Sequence, residues 1–505
     1  MKRLTFALLF ITSTLPTACS GTANSLHTAA PSARNGTASK ASQSEVSWPV
    51  WGFDPGRSNF NSAEQSLTIG NVAQLHEQWQ TNLGAFPVSA SPILVVGDRP
   101  SKQTMLFATA KNGVTFALDA TTGQIIWKFA THGGKKTTSA PAADPSGTWI
   151  YAPGVDAKVH KLAASNGSES VSGGFPVVIS LMPKTELDES PLNVANGYLY
   201  AVLGGAGNDQ PPYDGHVVSV NLGSGQAAIF NSLCSEYHAL LGATSCGPQR
   251  SGIWARAGAV VDPDPSMGGR IYAATGNGDF NANNGGYDYG DSVLALAPDL
   301  SSMLSSYTPS DYLQLDDRNE DLGSTSPAVL PKQANSSTPY MLVQGGKDGV
   351  LRLMNRAPLP GVGGELQLVQ LRRPLYATPA VWTDPNNQAW IFLVFPQKVY
   401  AYRLNTNASG VSLLQLQWSA FVGQTQRGTS PVVANGILFV AFNNALVALN
   451  ATTGAKLWSS DMPSAGLSIG PVHFESPIVV NGWVYCSDDS NNITAYALYP
   501  SRRRR

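Results

Sequence analysis

Charge is scarce in this chain: Asp, Glu, Lys and Arg make up 13% of its 505 residues. The 32 basic side chains face 33 acidic ones, a formal net charge of −1, so no global field attracts a polyanion and nucleic acid is not expected as a partner. Cysteine is scarce too, with Cys19, Cys234, Cys246 and Cys486 the four present. No Cys-x-x-Cys or Cys-x-x-Cys-His occurs, so neither a zinc ribbon nor covalently attached haem is encoded. Beyond residue 19 no apolar run reaches the ~18 residues of a membrane-spanning helix. Nucleotide-binding glycine loops and a His-Glu-x-x-His pair are also missing. What is abundant is glycine (49), proline (34) and hydrophobic residues (43%), which excludes a disordered chain or a coiled coil.

The first residues read as an export signal. Lys2 and Arg3 precede an apolar run from Leu4 to Leu15, followed by Pro16-Thr17-Ala18-Cys19. Ala18-Cys19 resembles the lipoprotein cleavage box, in which Cys19 would carry a lipid, the one membrane attachment expected; ordinary secretion needs the same run. Residues 1–19 are read as the signal and the Ser/Ala/Thr/Asn-rich residues 20–47 as a flexible tether. The expected location is outside the cytoplasm, periplasmic, lipid-anchored or secreted. There Cys234 and Cys246, twelve apart in a Gly/Ser-flanked insertion, favour a loop-closing disulfide, with two free thiols as the alternative. The basic tail 501–505 reads as a solvated end.

Self-similarity organises the rest. A Ser/Thr-Pro followed by an apolar, strand-like stretch recurs at Pro92, Pro141, Pro191, Pro327, Pro379, Pro431 and Pro477. The gaps are 49, 50, 136, 52, 52 and 46, and the outlier is two units if one repeat has lost its proline. That repeat runs from Ser251-Gly252-Ile253-Trp254 to Thr275-Gly276, which makes eight. Asn196-Gly197, Asn435-Gly436 and Asn481-Gly482 supply two-residue hairpin turns. A four-stranded unit of this length cannot bury both faces alone, so neighbours must stack radially. The chain from 48 to 500 is therefore expected to be all-β, an eight-bladed β-propeller of four-stranded antiparallel blades. Trp127 and Trp458 are expected to dock between blades, and the segment around Leu75 and Trp79 to close the ring with the last blade.

Ala117 to Trp127 and its copy Ala448 to Trp458 carry an Ala-x-Asp/Asn-x-x-Thr-Gly-x-x-x-Trp string that resembles the docking motif of the pyrroloquinoline-quinone (PQQ) repeat family. Trp48-Pro49-Val50-Trp51-Gly52-Phe53-Asp54-Pro55-Gly56-Arg57-Ser58-Asn59 resembles the opening of its polyvinyl-alcohol-dehydrogenase-like members. The resemblance implies PQQ and a calcium ion as cofactors. Trp254 would stack on the quinone, and Lys347 would polarise its acceptor carbonyl. Asn277 and Asp209 would be metal ligands, Asp209 standing where the family has Glu. Asp311 would be the base, in a stretch where Ser310 replaces the family's His; Asp316, Asp317 and Asp321 crowd the same loop, and Asp321 is read as the start of the fifth blade. The family's vicinal Cys-Cys is absent. Two functions follow. One is an exported quinoprotein dehydrogenase acting on a small or polymeric alcohol and passing electrons to a separate acceptor. The other is a cofactor-free scaffold engaging an envelope protein or polysaccharide.

Overall fold

A computed structural model of the chain describes residues 44–84, 86–97, 103–206, 210–247, 250–423 and 428–498. Cys19, Asp209, the export signal, nearly all of the tether and the basic tail lie outside the described residues. The expected architecture is present: eight sheets succeed one another along the chain as the blades of a β-propeller. Their strands fall within 93–130, 142–178, 193–231, 260–308, 328–370, 380–421, 432–459 and 478–498. The eighth sheet takes its outermost strand from the other end of the sequence, where Leu75–Asn82 pairs antiparallel with Asn492–Leu498 and closes the ring. Three sheets gain a short fifth strand.

The hairpin turns form as their residues dictate. Asn435-Gly436 has φ values of 45° and 75°, and Asn196-Gly197 and Asn481-Gly482 are alike, the paired positive dihedrals of a tight hairpin. The strands differ from simple alternation. Ile437–Phe442 and Ala389–Val394 are buried along their whole length, because stacked blades cover both faces of a middle strand. Alternation survives in the outermost strands, such as Ser412–Phe421.

The repeated Thr-Gly-x-x-x-Trp string is a blade-to-blade clasp. Trp127 donates its indole N–H to the Ala164 carbonyl of the next blade at 2.9 Å, and Trp458 donates to Leu75 at 2.9 Å. Trp79 and Trp418 do the same to Ala120 and Ala451. The indoles of Trp79, Trp127 and Trp418 lie so close to Gly123, Gly167 and Gly454 that a Cβ there would meet a ring atom at 2.5–2.6 Å. Only glycine fits, for space and for its positive φ.

The opening segment, 48–61, laces the first strands of the blades together. Trp48 exchanges backbone hydrogen bonds with Leu94, Pro49 accepts from Ala143, and Pro55 accepts from Val261 and the Asn193 amide. Ser58 and Asn59 accept from Val381 and Val433, and the Asn61 amide donates to Val479. Trp51 meets the fifth blade in an apolar cluster with Val329 and Leu342. One short segment thus hydrogen-bonds to the innermost strands of seven blades and shares an apolar cluster with the fifth, as strands that surround one axis allow. Arg57, 1% exposed, pins the plug by donating to the carbonyls of Trp51, Pro191 and Leu192 at 2.6–2.9 Å.

Candidate active site

A cavity of about 610 Å³ gathers residues from position 89 to position 474, among them Lys111, Lys136, Glu189, Trp254, Arg256, Lys347, Tyr376 and Phe474. Its wall follows the repeat. Ser89, Thr138, Tyr376 and Phe474 each stand three residues before a repeat proline, whereas Leu94, Ala143, Val381, Val433 and Val479, bound by the plug, stand two residues after one. Cavity and plug therefore occupy successive levels of the same inner segments.

Trp254 is held by glycines. Ile253 N–H donates to the Leu203 carbonyl at 3.0 Å, drawing the segment against the end of Tyr198–Gly205. A Cβ on Gly204 would meet the Trp254 Cβ at 3.3 Å, and one on Gly252 the Gly204 Cα at 3.1 Å. The indole remains half-exposed to the cavity, with the Tyr376 ring 6.5 Å away at 43°. The Lys347 Nζ lies 5.3 Å from the Trp254 ring centre and is ion-paired with Asp321.

Asp321 joins the other expected residues. Its Oδ1 accepts the Asn277 backbone N–H at 2.8 Å, and its carbonyl accepts the Lys347 N–H at 3.0 Å. The Asn277 amide donates to Asp291 and to the Leu315 carbonyl, which leaves the buried Asn277 Oδ1 without a hydrogen-bond partner. Burial, reinforced by the nearby Asp321 and Asp316 charges and opposed by donors from Leu322 and Asn277, pushes the Asp291 carboxyl up to about 8.

Trp254 and Lys347 thus line the cavity, and Asn277 is tied to them through Asp321. Asp311 is not brought there. It is exposed at the N-terminal cap of the helix Tyr312–Arg318 and does not line the cavity. The carboxylate beside Lys347 is Asp321, ten residues later; reading it as the start of a blade overlooked that its side chain turns back to the Thr275-Gly276-Asn277 turn. Cys234 and Cys246 form a disulfide with Cα atoms 6.1 Å apart. Gly466-Leu467-Ser468-Ile469-Gly470 is a Gly-x-Ser-x-Gly string, against the expectation from sequence that no such nucleophile elbow is present. Ser468 there donates to the Asn444 carbonyl at 2.6 Å and shares a hydrogen bond with Ser460, an arrangement without a base.

The cations Lys111, Lys136 and Arg256 carried no motif, so the sequence alone did not mark them. Lys111 pairs with Asp489 at 3.2 Å, and Arg256 lies 3.8 Å over the Phe474 ring while donating to Thr138 and the Glu189 carbonyl. With Lys347, four cations and one acid, Glu189, line the cavity of a chain whose net charge is −1. Two of the four are ion-paired, Lys111 with Asp489 and Lys347 with Asp321.

Comparison with known proteins agrees with this fold. Residues 48–167 match the glucose/ethanol/alcohol dehydrogenase β-propeller repeat model, and residues 404–499 match the repeat model described as outer membrane protein assembly factor BamB. The chain is an eight-bladed β-propeller with two segments that match PQQ-repeat models. No curated protein matches it in sequence. The quinohemoprotein alcohol dehydrogenase ADHIIG from Pseudomonas putida HK5 superposes with a TM-score of 0.62 at 15% identity, over 90% of this chain and 80% of that one. The quinohemoprotein alcohol dehydrogenase from Comamonas testosteroni gives 0.61 at 15%, over 90% and 81%. A europium-containing methanol dehydrogenase gives 0.62 at 13%, over 90% and 98%. At such identities the likeness is one of fold.

Proposed function

We propose that this chain is an exported quinoprotein dehydrogenase that holds PQQ in the axial cavity and oxidises an alcohol. The observation that carries the reading is the Trp254 ring in a cavity wall with four cations, Lys136 and Arg256 beside the ion-paired Lys111 and Lys347, which suits a planar, polycarboxylated quinone. When bound, PQQ would supply the two-electron acceptor, the hydride carrying both electrons. Trp254 would form the floor, and the Lys347 ammonium would favour negative charge on the ligand's oxygen. Asp321, the ion-pair partner of Lys347, would receive the alcohol proton in place of Asp311. Its access to the cavity depends on Lys347 moving aside.

Calcium fits less fully. Asn277 Oδ1 is a hard oxygen with a vacant acceptor position, and Asp321 lies beside it, but calcium takes six to eight oxygens. Among the described residues no group of three or more His, Cys, Asp or Glu is gathered for a metal. The ligand number is thus not met by these residues, Asp209 lies outside them, and no step is routed through the ion.

The second reading, a cofactor-free envelope scaffold with Cys19 as a lipid anchor, is favoured by the match of residues 404–499 to a BamB-type repeat. Titration of the metal-stripped protein with PQQ, with and without calcium, separates the two. The dehydrogenase reading expects quenching of tryptophan fluorescence, loss of binding in Trp254→Ala, and dye-linked alcohol oxidation that Asp321→Asn abolishes and Asp311→Asn spares. Absence of PQQ binding leaves the scaffold.

A further inference from the structure

A second groove, of about 290 Å³, opens between the fifth and sixth blades and is lined by Leu371, Arg372, Arg373, Phe395, Lys398 and Tyr400 among others. Arg372, Arg373 and Lys398 are exposed and make no ion pair within the described residues, and no acid lines the groove. In a chain with so few charges and a slight negative net charge, three clustered, unneutralised cations depart from the average surface. Their position is built. Arg372 adopts a left-handed backbone, φ 63°, uncommon for a residue with a side chain. The loop is clamped on both sides, Leu371 N–H donating to Gly349 at 2.8 Å and Leu375 N–H to Gly346 at 3.0 Å. That hairpin carries Lys347, and the same loop continues to Tyr376 in the cavity wall. Directly across the strand pair from Lys398 stands Phe421, 68% exposed on the blade's edge strand.

We propose that this groove is the docking surface for a partner protein with an acidic face. Adjacent guanidiniums match planar carboxylates, and an exposed aromatic beside arginine is the composition of a protein-interface anchor. A partner seated there would rest on the backbone that positions Lys347, beside the cavity. The inference does not depend on which ligand the cavity holds.

The test is fluorescence anisotropy of a labelled decaglutamate peptide with the full chain at about 0.02 M and about 0.3 M salt, which differ several-fold in screening length. Expected is binding at low salt that the triple variant Arg372→Glu/Arg373→Glu/Lys398→Glu weakens about tenfold or more, while Lys332→Glu, exposed and lining neither the groove nor the cavity, changes it less than twofold. All three positions are exposed, so an unchanged melting temperature verifies folding. Unaltered binding in the triple variant overturns the proposal. So does binding of sulfated polysaccharide or anionic vesicles in the absence of any binding of the peptide.

Discussion

The ammonium of Lys347 sits 5.3 Å from the centre of the Trp254 ring while ion-paired with Asp321, so one cation serves an aromatic face and a nearly buried carboxylate together. The Lys347 and Asp321 side chains are 18% and 9% exposed, too little for water to replace either partner fully. Any anionic ligand on the indole competes with Asp321 for this charge. The pair is therefore a structural tie between the fourth and fifth blades.

Lys347→Met strands the Asp321 charge beside Asn277. Removing one partner of a largely buried pair costs about 3 kcal/mol, which a urea unfolding curve of the variant should show. The double variant Lys347→Met/Asp321→Asn should recover most of that loss. A double variant no better than the single one would mean that Lys347 supports the fold through packing alone.

Arg57 is a second buried cation with a different duty. Its guanidinium satisfies three carbonyls from the plug and the third blade, and it lies 5.8 Å from the Trp51 ring centre. Arg57→Met keeps the volume but leaves those carbonyls without donors, at about 1–3 kcal/mol for each group that water cannot reach. The expected outcome is a lower denaturant midpoint with the same cooperativity. An unchanged midpoint would show that the plug contributes little to closing the ring.

Repetition made the fold legible before any coordinates. Asn-Gly pairs, repeat prolines and the Thr-Gly-x-x-x-Trp string each encode a local geometry, and the three agree on one blade. Of the candidate site, only the neighbourhood of Trp254, Asn277 and Lys347 was legible, where a family-like string marked it. Arg256 and Lys136 are ordinary basic residues in sequence, and only the convergence of inner segments makes them neighbours. A usable signal did exist, since the third residue before a repeat proline reaches the cavity in four blades. The position of Asp311 was hidden for a related reason. Asp311 and Asp321 stand on either side of the helix Tyr312–Arg318, and spacing from a blade boundary does not show which one turns toward Lys347.

The insertion in the third blade should depend on its cross-link. Cys234 and Cys246 close a loop twelve residues apart over a small apolar cluster with Leu233 and Leu241. Closing a loop of that size contributes about 2–3 kcal/mol in the chain-entropy view. A non-reducing peptide map should recover the two cysteines linked, with Cys486, buried in the last blade, as a free thiol. The double Ser variant should speed proteolysis within 232–247 while leaving the remaining blades protected. Uniform loss of protection would place the disulfide in the global fold instead.

Asp214 should give the protein a pH-dependent weakness. Both its carboxylate oxygens are buried without hydrogen-bond partners, and its backbone N–H is committed to Glu186 at 2.9 Å. Burial above all, and then the Glu186 charge, push the carboxyl from 3.8 up to about 7, against a smaller opposing pull from His216. Between those two values the folded chain keeps a proton that the unfolded chain has released, so the folded state binds more protons. Stability from this group is then fully present below about pH 4 and is lost as pH rises toward 7. Asp214→Asn keeps the shape and cannot ionise. Its stability relative to the parent chain should therefore climb across pH 4–7 and level off above it, as measured by urea unfolding at each pH. The comparison with the parent matters, because Asp291 and Glu475, also raised by burial, titrate in the same sense in both chains. A difference that stays constant with pH would mean that Asp214 is ionised in the folded protein and finds compensation from His216 or from solvent.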